Sequence, residues 1–230
     1  MQFTLQLICW AIGLPLSLLV INALLRGGYR LFPVLFVYQI VDFLMTVASL
    51  PPYIAYYVEH APDARTRMAK WFLWDELLLQ PLVYAVVVSL IYRATEKMAS
   101  RGLVRSALVG GALLIAAASF LYHYDPHAIK GEWLAFWTRD LTFSSAILDL
   151  ALWALLLASR VKDSRLLMIS GGLGIQFTGE AIGESLRSIA IQRRLRTLSF
   201  TGSLPTSLVD MASLYIIWQA VRTITSPKTK

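Results

Sequence analysis

The chain has 230 residues, 57% hydrophobic and 15% charged, with a mean hydropathy of +0.60. Soluble domains average about 45–50% apolar and about 25% charged residues, so the composition excludes an ordinary water-soluble fold and leaves little chain for a separate soluble domain. The net charge of +7 and pI of 9.7 would suggest nucleic acid in a soluble protein. Here Lys and Arg flank apolar segments, which points to anionic membrane lipids and topology and away from nucleic acid.

Residues 1–25 carry no charged side chain. A secretory signal has a basic n-region before a short apolar core; this stretch has neither feature, so a retained first span over 3–25 is expected, ended by Arg26-Gly27-Gly28. Cys9 within it is the single cysteine, which excludes an internal disulfide and a thiolate metal site. The second span is predicted over 31–57, the third over 71–92 and the fourth over 103–122. The fifth is predicted over 133–159, the sixth over 165–189 and the seventh over 201–221, each near the ~20 residues a membrane crossing needs. The expectation is an all-α polytopic integral membrane protein, a seven-transmembrane-helix bundle forming one domain over 1–230. Pro15, Pro33, Pro51, Pro52 and Pro81 fall in or at the ends of spans, where each removes a backbone donor and favours a kink.

Lys and Arg in short loops set orientation. With the N-terminus outside and the C-terminus cytoplasmic, twelve lie on the inner side and nine on the outer. The cluster Arg193-Arg194-Leu195-Arg196 opposes this assignment. The proposed outer loops are longer and hold His60, His123 and His127, which supports it. The tail after Arg222 is short and polar, so an output domain is not expected. The localisation this suggests is a bacterial inner (plasma) membrane. In outline, seven helices of this topology resemble bacterial seven-helix sensor modules and the rhodopsin-like architecture.

Acidic residues inside five spans carry the functional signal, because a carboxylate at bilayer depth is costly unless paired, protonated or hydrated. Gln176, Glu180, Glu184 and Arg187 follow at spacings of 4, 4 and 3 on the sixth span, one helical face. The second span carries Tyr38, Asp42, Ser49 and Tyr53; the third Glu76, Gln80 and Tyr84; the fifth Thr138, Thr142, Ser145 and Asp149; the seventh Thr206, Asp210 and Ser213. With the N-terminus outside, Asp42, Asp149 and Asp210 lie near mid-membrane. Glu76, Glu180 and Glu184 lie toward the outer surface, with Arg139 and Arg187 as charge partners. The expected site is an acidic funnel for a small molecule or cation, lined by Asp42, Glu76, Gln80, Asp149, Gln176, Glu180, Glu184 and Asp210. Polar residues can also simply bond helices together, at about 0.6 kcal/mol per contact, and Ser, Thr and Tyr in these stripes suit that role. Spans one and four lack an acidic stripe and are expected at the lipid-facing periphery, with Gly110-Gly111 as a packing point.

Other chemistries lack their residues. No lysine lies mid-span, which excludes a retinal Schiff base, and no span carries histidines for an intramembrane zinc hydrolase. Gly171-Gly172-Leu173-Gly174 follows no strand, so it is not a dinucleotide fingerprint. Glu59, His60, Asp63, His123, Asp125 and His127 are open to a loop metal site or to plain solvation. No cofactor is expected. The sequence suggests a ligand-sensing module acting through a separate signalling protein, then a proton- or cation-coupled small-molecule transporter, then an intramembrane lipid-modifying enzyme.

Overall fold

The computed structural model describes residues 2–59, 63–97, 101–124, 132–158, 163–192 and 196–225. His60, Asp125, His127, Arg193 and Arg194 lie outside these residues, as do the side chains of Glu184, Arg187 and Thr206. Seven long helices fill the described segments: α1 (Gln2–Ala23), α2 (Pro33–Tyr57), α3 (Ala64–Ala94), α4 (Arg101–His123), α5 (Glu132–Ala158), α6 (Ser164–Gln192) and α7 (Arg196–Thr225). No strand occurs among the described residues. The chain is an all-α, multi-pass membrane protein. Among the described residues, five stretches are long and apolar enough to cross a membrane: Gln6–Leu31, Pro33–Tyr57, Thr66–Ala94, Gly102–His123 and Phe136–Leu157. At 29 and 30 residues α6 and α7 have the length, but their Gly, Ser, Thr, Gln and Glu residues dilute the apolar content.

The first span does not stop at Arg26-Gly27-Gly28. A π turn over Leu24–Gly28 carries the helix on to Leu31, with Gly27 at φ 128°. That left-handed φ is open to glycine and strained for other residues. The break falls at Phe32, at φ −130° and ψ 64°. Pro33 follows it, and a residue before proline is pushed out of the helical region. At the other helix starts the apolar pattern falls short. α3 begins at Ala64 rather than 71 and α7 at Arg196 rather than 201. Ala, Arg, Met and Lys in 64–70 are good helix formers that a hydropathy argument passes over.

Contacts divide the chain into two compact units, Met1–Leu31 with Asp149–Lys230, and Phe32–Leu148. In the first, α7 packs against both α1 and α6. Gly28 lets the π turn approach α7, since a Cβ there would sit 3.1 Å from Val221 Cγ1. Gly172 sits where a Cβ would lie 3.3 Å from the Ser213 carbonyl, and a Cβ at Gly179 would overlap the Val209 side chain. Small residues of this kind let membrane helices close on each other. Val20, Leu24, Ile169, Leu173, Ile217, Ala220 and Val221 fill the core, each at most 1% exposed. Along α1 and into the π turn, Trp10, Ser17, Val20 and Leu24 form one buried stripe, while Ile8, Ile12, Leu19 and Leu25 are exposed, as a peripheral membrane helix requires.

In the second unit, α3 packs against α2 and α4 around Leu35, Val83, Val86, Val87, Leu90 and Ile91. Arg105 closes the end of α3. Its Nη2 donates to the Tyr92 carbonyl at 3.0 Å, and its guanidinium carbon lies 3.5 Å from the Tyr92 ring centre. A cation at a helix C-terminus satisfies otherwise orphaned carbonyls and complements the helix dipole. Buried Thr95 donates its hydroxyl to the Ile91 carbonyl at 3.0 Å and completes the cap. Ala112 is the one buried residue of α4 among those described, so α4 is peripheral. Gly110 and Gly111 are not its packing point, because a Cβ at either would meet nothing within 4 Å.

These contacts separate two classes of glycine. Gly179→Leu is expected to lower stability by about 2 kcal/mol or more through overpacking, and Gly110→Leu to change it by less than about 0.5 kcal/mol, in denaturation of the purified protein in detergent.

Candidate functional site

Among the described residues, Asp149 is the most deeply buried of the predicted acids, 3% exposed within the Phe136–Leu157 span of α5. Its Oδ1 accepts a hydrogen bond at 2.7 Å from the hydroxyl of Ser170, a fully buried residue of α6. One turn along α6, a Cβ on Gly174 would lie 2.9 Å from Asp149 Oδ2, so the carboxylate occupies the space a side chain would need. Trp153, one turn beyond Asp149, rests its indole on Gly171, where a Cβ would lie 3.5 Å from Nε1. An ionised carboxylate offers about four acceptor positions, and Ser170 fills one of them. The α5–α6 contact is therefore built around a polar group with remaining capacity for a donor or a cation.

The same unit carries the α6–α7 polar residues. Gln176 Nε2 donates to Glu180 Oε1 at 3.1 Å, so these two share a face. The contacts of Gly172 with Ser213 and of Gly179 with Val209 set an antiparallel register that brings Gln176 and Asp210 to the same height. Both are half-buried. Ser213 is 1% exposed, and its hydroxyl oxygen has no hydrogen-bond partner. The side chains of Glu184 and Arg187, expected to continue this stripe, lie outside the described residues.

Asp42, Glu76 and Gln80 belong to the other unit. Gln39 Nε2 donates to Asp42 Oδ2 at 3.2 Å. On α3, Tyr84 is buried and donates its hydroxyl to the Ala112 carbonyl, and Gln80 is half-buried, but Glu76 is exposed. A four-residue spacing advances 40° past a full turn at 3.6 residues per turn. Over two steps Glu76 drifts about 80° from Tyr84, which takes it off the buried face. The hydroxyls of Ser49, Thr142 and Ser145 donate to carbonyls of their own helices. This back-bonding makes them helix-internal groups.

Arg139, expected to pair with the acids, is exposed and lies 5.3 Å from the Phe136 ring centre. The two are three positions apart on one helix, so the guanidinium lies against a ring of its own helix. His123 Nε2 lies 3.0 Å from Asp140 Oδ2. Ser119 Oγ donates to the same oxygen at 2.8 Å. Serine and histidine both address the carboxylate, whereas nucleophilic catalysis needs the serine proton directed at the imidazole. The cluster therefore fastens α4 to α5. Phe120 packs edge-on against Trp133 and Trp137 beside it.

Sequence reasoning passed over Ser170, Gly174 as the seat of Asp149, and Gln39. The signal for Gln39 was its position three residues before Asp42; for Ser170 and Gly174 it was their mutual spacing of four. Comparison with protein-family models, with curated proteins and with solved structures finds no match to this chain.

The Asp149 seat predicts a dependence on its neighbour. Gly174→Ala is expected to destabilise the protein by about 1–3 kcal/mol. In an Asp149→Ala background most of that loss should vanish, as read by denaturation in detergent.

Proposed function

We propose that the protein is a ligand-sensing membrane module that takes a small molecule or cation into its acidic interior and signals through a separate protein. The observation that carries this reading is the buried Asp149–Ser170 hydrogen bond between α5 and α6. A ligand that binds the carboxylate competes for Ser170's partner and favours a different α5–α6 packing. A ligand shifts such an equilibrium only by its differential affinity for the two packings, and a buried carboxylate with spare acceptor capacity gives it a basis for that difference. The orientation proposed with this reading has the N-terminus outside and the C-terminus cytoplasmic in a bacterial inner membrane. The basic α3–α4 connection, flanked by Arg93 and Arg105, is then on the cytoplasmic side and faces the signalling partner and the lipid headgroups.

A proton- or cation-coupled small-molecule transporter is the second reading. The depth of Asp149, within an apolar span, favours it. A thermal-shift screen of organic cations against the purified protein separates the two. The sensing reading predicts a compound that raises the unfolding midpoint, loses the effect in Asp149→Leu, and is not accumulated by proteoliposomes. Gradient-driven accumulation that Asp149→Asn abolishes would replace sensing by transport.

A further inference from the structure

Helix α6 carries two kinds of glycine. Toward α7 it is closed: a Cβ at Gly172 would meet three atoms of α7 within 3.5 Å, and one at Gly179 would overlap Val209. Toward α5 it is looser. Apart from α6's own backbone and the chain neighbours, the described atoms within 4 Å of a Cβ on Gly174 reduce to Asp149 Oδ2. For Gly171 they reduce to Nε1 and Cζ2 of Trp153, at 3.5 and 3.9 Å. Gly171 and Gly174 are three positions apart, and Asp149 and Trp153 four, so each pair lies along one helical face. A notch between α5 and α6 is thus bordered by a carboxylate oxygen at one level and an indole one turn away.

The carboxylate is 3% exposed and Trp153 is 38% exposed, so the notch runs from a buried acceptor toward the helix surface. Asp149 Oδ1 takes the Ser170 hydroxyl at 2.7 Å, and Oδ2 is the atom that borders the notch. Among the described residues Asp149 has no cationic partner. Ser170 supplies a dipole without a charge, and an ionised carboxylate in an apolar span needs a counter-charge. We propose that the ligand of this notch is a primary alkylammonium ion, with its ammonium group on Asp149 Oδ2 and its alkyl chain along Trp153. The assignment rests on the sensing reading and names the ligand class for it. An ammonium brings one positive charge and N–H donors to a single carboxylate oxygen. A quaternary ammonium brings the charge without a donor. A hard metal ion requires several oxygen ligands, and the notch sets one carboxylate oxygen beside an indole. That indole gives the chain an apolar bed and its ring attracts a cation.

The test uses the full chain in lipid nanodiscs. Its unfolding midpoint is measured with methylammonium, n-propylammonium, n-butylammonium, n-butyltrimethylammonium and sodium chlorides at equal ionic strength, and with n-butanol as the uncharged control. A saturating rise with the primary ammonium ions is expected, as for ligands that bind only the folded state. Affinity should grow with chain length, by up to about fourfold per methylene. Sodium, butanol and butyltrimethylammonium should give no saturating rise. Asp149→Asn, which keeps an acceptor for Ser170, should abolish the rise, and Trp153→Ala should flatten its dependence on chain length; the ligand-free midpoint shows that each variant folds. Equal rises with butylammonium and butyltrimethylammonium overturn the primary-ammonium assignment and leave sensing of organic cations intact. The absence of a rise with every primary ammonium ion overturns it too, and the sensing reading then depends on the wider cation screen. A primary-ammonium rise that survives Asp149→Asn overturns the site itself.

Discussion

A polar group inside a membrane must find its partners within the protein, because hydrocarbon offers none. The organisation of both units follows from that constraint. In the Asp149–Lys230 unit, the Asp149 carboxylate meets the Ser170 hydroxyl across the α5–α6 contact. It can do so only because Gly174 leaves the space free. Glycines 172 and 179 bring α7 equally close on the other contact of α6. The low apolar content of α6 is thus a condition of its position: it trades side-chain volume for backbone approach and for polar partners.

The Phe32–Leu148 unit meets the same constraint by different means. Arg105 satisfies the end of α3, Tyr84 reaches the Ala112 carbonyl, and Ser119 and His123 converge on Asp140. Each ties neighbouring helices at a defined height. Gln39 Oε1, Gln80 Oε1 and Trp71 Nε1 depart from the pattern, buried without a hydrogen-bond partner, as Ser213 Oγ is in the other unit.

The helices were legible because apolar runs of spanning length admit few alternatives. Their ends were less so: Gly27 reads as a stop, yet its freedom at positive φ carries the backbone through a π turn to Leu31. Asp149 was visible as an acid out of place, but its partner was not, since nothing local links a residue of α5 to Ser170 of α6. Spacing alone also misled at Glu76, where angular drift decides burial, and at Gly110-Gly111, where a small-residue pair says nothing about what lies opposite. Counting acids drew attention to Asp42 and away from Gln39, which carries no charge and is the more deeply buried of the two.

The claim that internal polar pairing holds the α5–α6 contact is tested most directly by a double-mutant cycle on Asp149→Ala and Ser170→Ala, measured as unfolding free energies in detergent. The account predicts a coupling of about 1 kcal/mol or more, at the upper end for hydrogen bonds between membrane helices. Additivity within about 0.3 kcal/mol would contradict it.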